Sequence, residues 1–131
     1  MNKKYLAKII AKDYQGLQVI SACCANAKIN KNEIKYLPKN RIFLLSLKRF
    51  EHEKKIQDIK INSICKFEFV DSVKSKKINQ DNPEQKLELI TMDYLKKNDN
   101  YEINLIFSNN AYITLFTEII EVTLDDQDET T

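Results

Sequence analysis

Residues 36–53 read Tyr36-Leu37-Pro38-Lys39-Asn40-Arg41-Ile42-Phe43-Leu44-Leu45-Ser46-Leu47-Lys48-Arg49-Phe50-Glu51-His52-Glu53. Pro38 sets φ for the first corner of a type I turn, and Asn40 tolerates the left-handed position that closes a short loop. The spacing therefore predicts a hairpin with strands over Glu33–Leu37 and Arg41–Phe50. In the second strand, Arg41, Phe43, Leu45, Leu47 and Arg49 share one face, and Ile42, Leu44, Ser46, Lys48 and Phe50 share the other. Both faces are apolar at mid-strand, which marks a central strand of a sheet.

Working outward, Tyr5–Ala11 is apolar and β-compatible and reads as a first strand. Asp13 supplies an acceptor to cap a helix, and Leu17, Ile20, Cys24 and Ala27 recur at helical spacing, so one amphipathic helix is expected over Tyr14–Ala27. Gly16, the only glycine, weakens its first turn. Downstream, Ile59–Val73 reads as one long strand region, Ser75–Pro83 as a loop and Leu87–Leu95 as a strand. Tyr101–Ser108 and Ala111–Thr117 flank Asn109-Asn110, a pair suited to a turn with positive φ. A two-residue turn would pair Phe107 with Tyr112 and Ile103 with Phe116 on one face, leaving Ile106, Ile113 and Leu115 on the other. Glu118–Leu124 reads as strand or short helix. The expected architecture is α+β: a mostly antiparallel, strongly curved sheet or partial barrel of about six or seven strands, with one N-terminal helix packed on it. Residues 1–124 form a single domain, and residues 125–131 an acidic disordered tail.

Composition narrows the function classes. A chain of 131 residues buries enough surface for a core without a metal or disulfide. No apolar run approaches the ~18 residues of a membrane-spanning helix, and Lys8 interrupts the place where a signal peptide would be apolar, so a cytoplasmic location is expected. The three cysteines are an odd number without a pairing pattern and are expected as free, inert thiols. One histidine makes zinc improbable, and one glycine excludes a glycine-rich phosphate loop, so no cofactor is expected. All 21 Lys and Arg lie at or before Lys97, against 11 acids there, while the remaining 8 acids follow without a base. Such a basic excess could face nucleic acid. The 19 Lys, 13 Asn and 17 Ile instead point to a compositional bias that spreads lysine over solvated faces, and nucleic acid is not the expected ligand.

The order Asp13, Leu17, Val19-Ile20-Ser21-Ala22, Ala27, then Tyr36-Leu37-Pro38, Arg41-Ile42-Phe43 and Arg49-Phe50-Glu51-His52-Glu53, closing with Ile113, Leu115 and Leu124, resembles the bacterial domain-of-unknown-function family 2948 over nearly the whole chain. In that family's pattern a tryptophan stands where this chain has His52, and the C-terminal Pro-Trp pair is missing here. The resemblance implies a family and no activity.

Only Arg41 and Arg49 are arginines in a chain otherwise using lysine. A guanidinium binds a carboxylate or phosphate with two parallel hydrogen bonds, which an ammonium cannot do. If the strand continues, Arg49, Glu51 and Glu53 share a face opposite His52. Arg41, Arg49, Glu51, His52 and Glu53 are therefore the candidate ligand-binding residues, with an internal ion-pair lock as the competing role for Arg49. Glu51 and Glu53 as an acid–base pair, or His52 with Cys65 as base and nucleophile, would need a cleft and an orienting group that nothing in the sequence marks. The leading expectation is a non-catalytic cytoplasmic binding or adaptor module recognising a protein or small anionic ligand near the Arg41–Arg49 strand. A nucleic-acid-binding domain and an enzyme with an unrecognised site are the alternatives.

Overall fold

A computed structural model describes residues 8–50, 60–79, 81–82 and 84–127. β1 (Lys8–Ala11) leads into α1 (Tyr14–Cys24), followed by β2 (Ala27–Asn30), β3 (Ile34–Leu37), β4 (Ile42–Phe50), β5 (Lys60–Phe67), β6 (Val70–Lys76), β7 (Lys86–Lys97), β8 (Asn100–Phe107), β9 (Tyr112–Thr117) and β10 (Val122–Asp126). The ten strands form one antiparallel sheet in the order β1-β10-β5-β4-β2-β7-β8-β9-β6, with β3 beside β4. The α+β class with one packed helix matches expectation. The strand count is higher, and the sheet is an open path instead of a strongly curved or partly closed barrel. Two causes of the higher count are local: the short segment after the helix adds β2, and Phe69 turns into the left-handed region at φ 59°, dividing the expected Ile59–Val73 strand into β5 and β6.

The helix begins as its cap dictates. Asp13 Oδ1 accepts a hydrogen bond from the Gly16 N–H at 2.8 Å, and Leu17, Ile20 and Cys24 are buried. It ends at Cys24 instead of Ala27, because Asn26 adopts φ 67° and reverses the chain so that Ala27 opens β2. Gly16 has a packing reason: a Cβ there would lie 2.9 Å from Ala11 Cα, so only glycine lets α1 approach β1 this closely. The helix also covers the edge of β7 that β2 leaves open. The Met92 N–H donates to Ser21 Oγ at 2.8 Å, beside a bulge in β7 between Leu89 and Thr91.

β4 is central, as its two apolar faces imply. It pairs with β5 along one edge, while β3 and β2 share the other. Phe43, Leu45, Leu47 and Arg49 are buried and their even-numbered neighbours from Ile42 to Lys48 are not. The hairpin before β4 differs in one residue: Arg41, at φ 58°, takes the left-handed position expected for Asn40, which detaches Arg41 from the strand's alternating faces.

The β8–β9 connection corrects the expected register. Ser108–Asn110 form a 3-10 turn with Asn109 and Asn110 at φ 61° and 62°, and the Phe107 N–H donates to the Ala111 carbonyl at 2.9 Å. This longer loop pairs Ile106 with Tyr112 and Ile103 with Leu115. A one-residue slip turns every β9 side chain to the opposite face relative to β8. Ile113 and Leu115 join Ile103 and Phe107 in the core, and Tyr112 and Phe116 join Ile106 on the outer face. The C-terminal segment resolves as strand: β10 runs between β1 and β5, and it extends through Asp125 and Asp126, two residues expected in the acidic tail. The tail boundary fails here because Val122, Leu124 and Asp126 keep the period-two alternation of a half-buried strand.

Candidate functional site

The two arginines occupy different environments. On the core face, the register aligns Leu47 of β4 with Ser63 of β5 and Ser63 with Asp126 of β10. Arg49, one row further along β4, reaches across to Asp126. Its Nε–H donates to Asp126 Oδ1 at 2.9 Å and its Nη2–H to Oδ2 at 2.6 Å, while the Ser63 hydroxyl donates to Oδ1 at 2.6 Å. The side chains of Arg49 and Asp126 are 2% and 0% exposed. This is a two-pronged, water-excluded ion pair, the geometry that selects arginine over lysine. It ties β10 to β4 across β5.

Arg41 stands at the solvent side of the hairpin, 40% exposed. Its Nε–H donates to Asp71 Oδ1 and its Nη2–H to Glu118 Oε2, both at 2.9 Å, and its guanidinium lies 5.6 Å from the centre of the Phe69 ring. The Glu118 hydrogen bond, followed by that of Asp71, holds its proton more firmly than usual. Arg41 and Arg49 are eight positions apart on extended chain, about 26 Å at the rise of a strand, so they do not form one site. Glu51, His52 and Glu53 lie outside the described residues.

The two buried thiols, Cys24 and Cys65, are held in their protonated, weakly nucleophilic form. Cys24 and Cys65 are buried and in no disulfide. Burial first, then the neighbouring Cys23, pushes the Cys24 thiol up to about 12; burial pushes the Cys65 thiol well above the usual thiol range. Among the described residues, no group of three or more His, Cys, Asp or Glu is placed to hold a metal ion, and no helix is long and apolar enough to cross a membrane.

The remaining feature is the outer face of β7, β8, β9 and β6. It carries a shallow hollow of about 760 Å³ whose lining includes Lys76, Asp93, Asn104, Ile106, Tyr112 and Thr114. Ile106 and Tyr112 are 38% and 37% exposed, and Leu95 on the same face is 49% exposed. The Thr114 hydroxyl donates to Asn104 Oδ1 at 2.7 Å. β6 brings Lys74 and Lys76 to this face, and β7 brings Asp93.

The sequence reading missed Asp126 and this outer face. Asp126 had a signal, the alternation from Val122. The outer face had none, because its apolar residues follow from a register that depends on the Ser108–Asn110 turn.

Among the described residues the fold is thus α+β, one helix on an antiparallel sheet that is locked on its core face and open on part of its other face. Residues 7–131 match the family described as protein of unknown function (DUF2948), and the chain belongs to that family. No curated protein and no solved structure matches it.

Proposed function

We propose that the protein is a non-catalytic cytoplasmic binding or adaptor module, and that it recognises a protein partner through the outer face of β6–β9 instead of through the Arg41–Arg49 strand. The observation that carries this reading is the contrast between satisfied arginines and an open, partly apolar sheet face. Arg49 spends its fork on Asp126, and Arg41 spends its fork on Asp71 and Glu118. Ile106, Tyr112 and Leu95, by contrast, expose apolar surface beside Lys76 and Asp93, the mixture of aromatic anchor and polar rim found in protein interfaces. A hollow this open would cover little of a small molecule, whereas ligand pockets enclose most of theirs. The high thiol values favour recognition over nucleophilic chemistry.

A photo-crosslinking side chain installed at Tyr112, with Leu37 as the control position, tests the assignment in cells. The expected result is protein adducts from position 112 and none from position 37. Adducts from position 37 alone would contradict it, as would a native-salt oligonucleotide complex tighter than ~10⁻⁷ M, which would move the function to nucleic acid.

A further inference from the structure

The open face of β7-β8-β9-β6 is ordered in rows by its register. One row runs Asp93, Asn104, Thr114, Lys74; the next runs Thr91, Ile106, Tyr112, Lys76; a third runs Leu95, Glu102, Phe116, Ser72. Across the first row the face is dipolar, with an exposed carboxylate on β7 and exposed ammonium groups on β6. In its middle, Ile106 and Tyr112 form one apolar pair beside Asn104–Thr114 and Glu102–Phe116. These properties constrain what could cover it.

Consider a second copy of the chain laid face to face, related by a two-fold axis that is parallel to the strands and lies between β8 and β9. Such a rotation keeps position along the strand and reverses strand order, so each row falls on its own reverse. Asp93 then lies opposite Lys74 of the second copy, and Lys74 opposite Asp93 of the second copy. Ile106 meets Tyr112 of the second copy, twice over, which seats each tyrosine in the other copy's hollow. Asn104 faces Thr114 of the second copy. The other in-plane two-fold, perpendicular to the strands, would place β6 on β6 and set lysines 74 and 76 against themselves, a like-charge juxtaposition that disfavours it. The charge order along the row thus selects one of the two face-to-face symmetries.

We propose, resting on the docking-face reading above, that the partner for this face is a second copy of the chain, forming an isologous two-fold dimer by sheet-on-sheet packing. Four strands at about 4.8 Å spacing and about seven residues at 3.3 Å give a face of roughly 19 by 23 Å. That is below the ≈ 800 Å² per partner of a standard stable interface, so the dimer is weak and concentration-dependent.

Sedimentation equilibrium across protein concentration tests it, with mass expected to rise from 15.4 kDa toward twice that value. Asp93 and Lys74 are both exposed, so replacing them leaves the core alone, and an unchanged urea midpoint verifies this. Asp93→Lys and Lys74→Asp should each weaken association at least tenfold, and Asp93→Lys combined with Lys74→Asp should restore it, because the swap rebuilds both pairs across the two-fold. A wild type that stays at monomer mass up to ~1 mM, or single variants that associate as well as wild type, or a double variant that stays as weak as the singles, would each overturn the proposal. A monomeric wild type that still gives adducts to another protein from position 112 would remove the self-pairing and leave the docking face standing; monomer without adducts would remove both.

Discussion

Arg41 and Arg49 flank the same strand and make the same kind of contact, yet they do different work. Each guanidinium engages carboxylate oxygen through both Nε and Nη2 at hydrogen-bond distance. Around Arg41 the carboxylates are split between two residues, and water reaches all three side chains. Around Arg49 one carboxylate accepts both prongs with a serine hydroxyl in support, and water is excluded. Screening makes an exposed pair worth little. Burial raises the stakes without raising the net gain: desolvation offsets much of the attraction, but removing one partner leaves a charge with nowhere to go. Residue type alone therefore does not identify a binding arginine.

The largest expected effect is on the buried side. Arg49→Met should destabilise the fold by about 3–5 kcal/mol, the range for stranding one charge of a buried pair, read as a shift in the urea midpoint at constant m-value. Arg49→Lys keeps the charge and loses the fork, so a smaller loss of about 1–3 kcal/mol is expected. Next come the buried thiols, which sit in the same core as Asp126. The folded Cys24 value lies above its ordinary 9.0, so the folded state holds the proton more tightly. Its stabilising contribution is complete below pH 9.0 and falls as pH rises toward about 12, with a slope of up to about 1.4 kcal/mol per pH unit. Urea unfolding of Cys24→Ala over this window should show a shallower alkaline loss than the wild type; identical slopes would place the alkaline sensitivity elsewhere. Thiol labelling of Cys24 and Cys65 should likewise be slow until the chain unfolds. At the small end, Arg41→Lys should leave the urea midpoint unchanged within error. A resolvable shift there would erase the contrast between the two arginines.

Much of this architecture was legible in the residues. Asp13 marks the helix start, Pro38 the hairpin, and the alternation from Phe43 to Arg49 the buried face of β4, because each depends on chemistry within a few residues of itself. What was lost depends on distant contacts or on one turn. Asp126 belongs to a run of acids that looks like a solvated tail, and only pairing of β10 with β5 turns it inward. The outer face depends on Ser108 and Ala111 lengthening a turn that Asn109-Asn110 alone would make shorter, and that single residue of slip moves Tyr112 and Phe116 to the side of the sheet that carries Ile106. Arg49 was legible as a residue chosen for its geometry; for its partner the residues offered only the alternation from Val122 to Asp126.

The central claim is that Arg49 and Asp126 act as one structural unit closing β10 onto the sheet. A double-mutant cycle of Arg49→Met, Asp126→Leu and the combination, followed by urea unfolding at neutral pH, tests it most directly. Each single variant should lose about 3–5 kcal/mol, and the double variant should recover most of that loss, because two apolar side chains can replace a buried ion pair with little net change. Single variants that unfold at the wild-type midpoint, or a double variant whose loss equals the sum of the singles, would contradict the lock and return Arg49 to the list of ligand-binding candidates.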